Sequence, residues 1–405
     1  MVTWNKKEIN KALDKLGMAN RWRNQIVNLD NFLSHDITMQ LSIRADAGKT
    51  TSALCLGLAL NKLYSTTILY QRCDNSQIVA SIANRLFNVI RDNNYISKMY
   101  DDEYNDVQYY PLLHHFTLVK KEIDKDGNLT IIKESEKPLC ICISLEKWQD
   151  YKSGMNETTA DYMIFDEFMD TKRATHDQII ELENNISTFL RPTIRDNGHC
   201  LMLGNNQNQY SFWFEEFCIE KMIPNLKFGG YIENNTEMGT TFCCELLSQS
   251  DEHKENIKKK KIRFSGFNTP KMNAFNGLSE WQGKSYPHIQ DNKMLEIKPK
   301  FNNFYIKHRT RFIKICLYYS KEYGYYAYLH YAPKPLYNDN IILTEFPEKF
   351  ELFGFGEQAK NETVRQYCKA FLELWKSNRI YFYSNSVGTL FDDYATQIRL
   401  NARRL

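Results

Sequence analysis

The sequence predicts an α/β protein with a mainly parallel sheet, followed by a smaller second α/β domain. Two observations predict the first part. Short apolar runs alternate with helical stretches in the order β-loop-α-β-α, and several of those runs end abruptly in polar residues. A third observation predicts the second part: from about residue 300 the alternation gives way to consecutive strands. At 405 residues, two domains are expected in any case, because single cores stop growing below that length.

The elements follow in order. Residues 5–30 read as a polar amphipathic helix, and ITMQLSI at 37–43 as a buried strand. A small-residue loop, RADAG, leads into TTSALCLGLALNKLY at 50–64, which is apolar nearly all round and therefore predicts a buried helix. TTILYQR at 66–72 is a strand. SQIVASIANRLFNVIRD has helical spacing at Ile78, Val79, Ile82, Leu86, Val89 and Ile90. FTLVKKEIDKDGNLTIIK predicts a hairpin turning at Asp126–Gly127. LCICISL at 139–145, YMIFDEF at 162–168 and HCLMLGNN at 199–206 are further strands, the last two ending in polar residues. In open α/β sheets, ligands bind at such carboxyl ends. SDEHKENIKKKKIRF at 250–264 has no apolar period and reads as a linker or lid. FYIKHR, FIKICLYYS, YYAYLHYA and NIILTE form a predicted β-meander, and a helix at 362–377 and a tail end the chain.

Composition narrows the function classes. The chain is 42% hydrophobic and 25% charged with a formal net charge of +3, so any nucleic-acid contact must come from a local patch. The 25 Tyr and 24 Phe exceed the needs of a core, although Tyr-rich strands account for most of them. The 10 cysteines include no CxxC pair, which argues against zinc, and the nine His lack metal-ligand spacing, His114–His115 included. No signal peptide is visible, and the apolar run at 53–60 is far shorter than the roughly 18 residues of a membrane span. A cytoplasmic protein with reduced thiols is the expectation.

Two motifs carry chemistry. IRADAGKT at 43–50 fits the P-loop pattern at Gly48, Lys49 and Thr50, with Ile43 in place of the first Gly. A bare GKT is a weak signal, but here a buried strand enters and a helix leaves. The helix-start amides, from Gly48 to Thr51, would cradle phosphates, Lys49 would reach the β- and γ-phosphates, and Thr50 would bind Mg²⁺. Asp46 would have to point away or pair with Arg44. YMIFDEF supplies a Walker B pattern: Asp166 for Mg²⁺, Glu167 to orient and deprotonate the attacking water. Each motif alone is balanced by a bland reading; together, each at a strand end, they favour an ATPase. Asn205, beside that strand, would sense the γ-phosphate, against an ordinary turn. Arg191 and Arg195 in TFLRPTIRD are candidate arginine fingers, against solvated helix-end arginines, with Lys152 and Arg72 weaker. Lys258, Lys259, Lys260, Lys261 and Arg263 form a basic run, either a solvated linker or a phosphate contact.

The deviant P-loop, SLEKWQDYKS at 144–153, YMIFDEF, TFLR and LMLGNNQN, in that order, resemble the DNA-packaging (encapsidation) ATPases of small short-tailed phages with protein-primed genomes, relatives of the large terminase subunits. The likeness covers about 40–215 well and continues loosely to the carboxyl end. It implies an ASCE-type P-loop NTPase domain at 1–215, a linker or lid region at 216–285 and an RNase H-like domain at 286–405. It implies ATP and Mg²⁺ as cofactors and a homomeric, pentameric ring that moves double-stranded DNA through the portal of a procapsid. It also allows a packaging RNA between ring and portal. The protein would act in the host cytoplasm, bound transiently at the procapsid vertex, with no place in a membrane or the mature virion. The family's phosphate lysine falls on Lys49, its metal carboxylate on Asp166 and its catalytic glutamate on Glu167. Its arginine finger falls on Arg191 through the T-x-x-R pattern at Thr188, with Arg195 the runner-up, and a trans-acting lysine falls on Lys152.

The terminase nuclease needs several carboxylates for two metals. FYIKHR and FIKICLYYS carry none, and only Asp392 and Asp393 match that pattern. The second domain is therefore expected to be a nuclease fold without nuclease activity, gripping DNA or docking on the portal. The alternatives are a terminase that pumps and cuts, a non-enzymatic DNA- or capsid-binding protein with a dead P-loop, and a generic helicase-like ATPase.

Overall fold

The computed structural model describes residues 4–17, 28–42, 48–145, 160–169, 177–190, 198–206, 211–236, 239–247, 286–308, 311–336, 340–348, 350–356 and 358–402. The chain divides into two compact units, Met1–Gln282 and Gly283–Leu405.

The first unit is built on a ten-stranded sheet. Its strands are β1 (Ile37–Ser42), β2 (Ile68–Arg72), β3 (Asp106–Tyr110), β4 (His115–Ile123), β5 (Leu129–Glu134), β6 (Cys140–Ser144), β7 (Tyr162–Asp166), β8 (His199–Asn205), β9 (Tyr231–Asn235) and β10 (Thr241–Leu246). The order is β3-β4-β6-β2-β7-β8-β1-β10-β9, with β5 paired to β4. The run from β6 to β10 is parallel, and antiparallel strands close both edges. β8 therefore separates the P-loop strand β1 from the acid strand β7, and all three end on the same side.

Both faces of the parallel strands are covered, so their sequences read as continuous apolar runs rather than alternations. Along β7, Tyr162 and Ile164 pack with the P-loop helix, Lys49–Tyr64, while Met163 and Phe165 join the opposite core with Trp213 and Phe214. The P-loop helix is buried from Ser52 to Leu60 because it lies between the sheet and the helices Lys6–Asp14 and Tyr95–Tyr100. Gly57 permits its approach to β2: a Cβ there would stand 2.4 Å from Ile68 Cδ1.

Several expectations change. The stretch 216–247 is part of the first unit, because β10 pairs with β1 in parallel and β9 pairs with β10, so no boundary falls at 215. The helix expected at 76–92 is broken into Asn75–Gln77, Ala80–Ala83 and Asn88–Asp92. Phe87, at the last break, is fully buried, whereas Val79, Ile82 and Val89 face solvent. Within the helix expected at 5–30, Lys6–Asp14 is helical and a second helix, Leu29–Ser34, starts near its end, while 18–27 lie outside the described residues. The hairpin forms as expected, with Gly127 at φ +83°.

The second unit holds a six-stranded sheet of β11 (Phe301–His308), β12 (Arg311–Ser320), β13 (Gly324–Ala332), β14 (Ile341–Thr344), β15 (Leu352–Phe353) and β16 (Ile380–Phe382), in the order β15-β14-β11-β12-β13-β16. β11 to β13 are an antiparallel meander, but β14 crosses back to pair with β11 in parallel, so the predicted four-strand meander is a mixed sheet. The expected helix forms over Glu362–Lys376, and the expected tail is a further helix, Asn385–Ala402, whose Val387, Leu390, Phe391 and Tyr394 enter the core. The architecture is mixed α/β with a mostly parallel central sheet and a second, smaller sheet.

Candidate nucleotide site

The carboxyl ends of β2, β7, β8 and β1, neighbours in the middle of the first sheet, lie side by side. Gly48 precedes the P-loop helix at φ +68°, a left-handed conformation that glycine adopts without strain. Gly48, at the cap position, has no side chain to satisfy the first-turn amides, which suits them to an anion. Thr51 lies in that turn, half-buried.

Lys49 and Thr50 point to different strands. Lys49 Nζ donates to Ser42 Oγ at 2.7 Å and to Asn205 Oδ1 at 3.1 Å. Ser42 ends β1 and Asn205 ends β8, and the two are register partners, so the ammonium spans adjacent strand ends. Burial lowers its pKa to about 8, against the opposing pull of Asp166 and Glu167. Phosphates would restore the lost stabilisation of the charge. Thr50 Oγ1 donates to Asp166 Oδ2 at 2.9 Å, which brings the two proposed metal residues together.

The acids are held from β2. Tyr70 and Arg72 lie two residues apart and so share a face. Arg72 Nη2 donates to Asp166 Oδ2 at 3.0 Å, and Nη1 to Glu167 Oε2 at 2.7 Å. Arg72 Nε donates to the Tyr70 hydroxyl at 2.8 Å, and that hydroxyl donates to Asp166 Oδ2 at 2.8 Å. Burial opposes the Arg72 charge, but Tyr70, Asp166 and Glu167 outweigh it and hold its pKa above the ordinary value. Burial, then the neighbouring Asp166, raises the Tyr70 pKa well above its ordinary value, so the phenol stays protonated. Asp166 is 2% exposed, whereas the Glu167 side chain is 49% exposed. Glu167 also adopts φ +58°, a left-handed backbone costing on the order of 1 kcal/mol, which turns the chain sharply after β7.

Gly204, beside Phe168, has no room for a side chain: a Cβ would lie 2.7 Å from Phe168 Cε1. Thus Gly48, Lys49, Thr50, Asp166, Glu167 and Asn205 meet at one site. Arg191, Arg195, Lys152, Arg44, Asp46 and the basic run at Lys258, Lys259, Lys260, Lys261 and Arg263 lie outside the described residues. Arg72, weighed as a weak finger candidate, instead grips the chain's own two acids. Ser42 and Tyr70 were not singled out from sequence. The available signal for Tyr70 was its two-residue spacing from Arg72 on a strand beside the acids.

The site fits a nucleotide-borne divalent ion. Among the described residues, no group of three or more His, Cys, Asp or Glu could hold a metal. Mg²⁺ in phosphate sites needs only one or two protein ligands, with phosphates and water supplying the rest. Thr50 and Asp166 are suited to that.

The smaller sheet also gathers acids, which the sequence reading missed because they lie beyond its strands. Glu345, just after β14, accepts from His308 Nδ1 at 2.7 Å, and both side chains are buried. Lys307 Nζ donates to Glu351 Oε1 at 3.0 Å and to Glu348 Oε1 at 3.3 Å. Asp392 Oδ2 accepts from the Tyr286 hydroxyl at 2.8 Å.

No family profile matches the sequence, and no curated relative does. Solved structures do match. The chain is similar to a protein of the bacteriophage Phi-29 viral genome packaging motor assembly, with a TM-score of 0.52 and 14% identity over 93% of this chain and 100% of that one. It also matches the Phi-28 gp11 DNA packaging motor, with a TM-score of 0.49 and 17% identity over 92% of this chain and 98% of that one. A third match is the Thermus phage P74-26 large terminase ATPase domain, with a TM-score of 0.36 and 12% identity over 68% of this chain and 98% of that one. The resemblance read from the motifs and the likeness of fold agree: the chain has the mixed α/β architecture found in a phage genome-packaging motor.

Proposed function

We propose that the protein is an ATPase that drives double-stranded DNA into a viral procapsid as part of a homomeric ring, a pentamer by resemblance. The observation that carries the reading is the convergence of Lys49, Thr50, Asp166 and Glu167 at the carboxyl ends of the central strands, with Asn205 on Lys49 and Arg72 on both acids. Lys49 and the helix-start amides bind the phosphates, and Thr50 and Asp166 would hold Mg²⁺, which would supply positive charge to offset that of the phosphates. Glu167 accepts a proton from the attacking water. As Glu167 is tied to Arg72 here, release of that ion pair precedes its action as a base.

Arg191, with Arg195 as runner-up, and Lys152 act on a neighbour's nucleotide. Lys258 to Lys261 and Arg263 contact DNA phosphates without reading sequence. The portal is the docking partner and a packaging RNA an optional one, in the host cytoplasm at the procapsid vertex. The second unit serves grip or docking rather than cutting. Its acids at Glu345, Glu348 and Glu351 are engaged by His308 and Lys307, which supports that reading over a nuclease.

The test is Mg²⁺-dependent ATP hydrolysis with and without double-stranded DNA. Turnover stimulated by DNA is expected. Absence of both nucleotide binding and hydrolysis would favour the dead P-loop. Mixing Arg191→Ala with Lys49→Ala subunits tests the ring: activity should return where an intact pocket meets an intact finger.

A further inference from the structure

We infer that Tyr70 is the positioning residue for the metal carboxylate, through the hydroxyl it places between Arg72 and Asp166. The inference rests on the reading of Asp166 as the residue that holds nucleotide-bound Mg²⁺. Among the described residues, three donors reach Asp166, from Thr50, Tyr70 and Arg72, and all three go to Oδ2. Three bonds on one oxygen fix the rotation of the carboxylate and leave Oδ1 for a cation or its water.

The three donors are not equivalent. Arg72 is a cation shared with Glu167, so an arriving divalent cation repels it and a moving Glu167 pulls it away. The Thr50 hydroxyl must also offer its oxygen to the metal. Tyr70 is neutral and buried, and its ring is packed in the core under the P-loop helix. It is the donor that stays in place throughout. By accepting from Arg72 Nε it also aims the guanidinium so that its two terminal nitrogens reach the two acids.

The experiment measures Mn²⁺ binding by electron paramagnetic resonance on the full chain with a non-hydrolysable ATP analogue, alongside affinity for the analogue in EDTA. Tyr70→Phe removes only the hydroxyl. Its Mn²⁺ affinity is expected to fall about tenfold, the effect of losing one hydrogen bond to a charged group. Its metal-free analogue affinity should stay within about twofold, a split that general loosening of the site would not produce. Arg72→Gln, which keeps the phenol and removes the charge, should hold Mn²⁺ as tightly as wild type or tighter. Unchanged Mn²⁺ affinity in Tyr70→Phe, or equal losses with and without metal, would overturn the inference. So would a tenfold loss in Arg72→Gln, which would assign the role to the guanidinium even if Tyr70→Phe does not fold. A wild type that binds neither the analogue nor Mn²⁺ would instead overturn the nucleotide reading itself.

Discussion

Both units set carboxylates at strand ends beside basic side chains, but they do so differently. In the first, Asp166 and Glu167 share one arginine, and the Glu167 side chain stays half exposed. In the second, His308 faces Glu345 inside the core, and Lys307 sits between Glu348 and Glu351, the latter with a fully buried side chain. A shared, partly exposed ion pair is cheap to rearrange, because water can replace the lost partner. A buried pair is costly to break, because the remaining group has no substitute partner. The half-exposed Glu167 leaves the first arrangement open to a change of partners, as the proposed phosphate binding would require, whereas in the second Glu345 and Glu351 are closed off and Glu348 is exposed.

The largest expected effects test whether the open set does chemistry. Glu167→Gln should keep nucleotide affinity but lower turnover about 1,000-fold, the range for loss of a general base. Lys49→Ala should lose about 100-fold in affinity as well, since it removes a charge from the phosphates. Phosphate release and equilibrium nucleotide binding separate the two. Wild-type turnover in Glu167→Gln would end the assignment of that residue as the base.

A smaller effect concerns the ion pairs themselves. Arg72→Ala leaves buried Asp166 with Thr50 and Tyr70 but without its paired guanidinium, a loss of roughly 2–3 kcal/mol after allowance for those neutral donors. Without nucleotide, its unfolding midpoint in urea should drop accordingly. Saturating Mg²⁺–nucleotide should recover part of the loss, because bound ligand adds stability to the folded state. No destabilisation would mean that Arg72 is as dispensable as a surface charge.

Lys49 makes the open set sensitive to pH. Its pKa of about 8 in the free site lies below the ordinary lysine value, so the ammonium is the main form at pH 7 and is lost as the pH rises through 8. Phosphates favour the protonated form, so binding above pH 8 takes up a proton. Affinity should therefore fall about tenfold between pH 7 and pH 9, with the proton uptake visible by calorimetry in buffers of different ionisation enthalpy. The dependence should vanish in Lys49→Ala.

For the closed set, the expected effect on DNA is none. Plasmid incubated with the purified chain and Mg²⁺ or Mn²⁺ should remain intact, because a two-metal site needs several free carboxylates. Cutting that disappears in an Asp392→Ala, Asp393→Ala double variant would open the comparison again.

Much of this molecule was legible in the sequence. Apolar runs such as YMIFD and HCLMLG are strands of the parallel sheet, and the all-round apolar P-loop helix is buried, as hydrophobic pattern alone requires. Lys49, Thr50, Asp166, Glu167 and Asn205 could be named because each stands at a strand end or helix start, where backbone geometry aims side chains at a ligand. Local pattern failed where packing across the chain decided the outcome. The stretch 216–247 carries strands of ordinary sequence, and only the free edge of β1 makes β10 part of the first sheet. The stretch at 76–92 is broken into three short helical segments, which apolar spacing alone does not predict. Arg72 and Tyr70 are as far as 96 residues from their partners Asp166 and Glu167. Their roles follow from β2 lying next to β7, and strand order is set by which faces the helices cover. Sequence by itself determined which residues could do the chemistry, because that depends on side-chain type and local backbone. Tertiary structure decided which charges meet, because electrostatic partnership depends on distance in space and on burial.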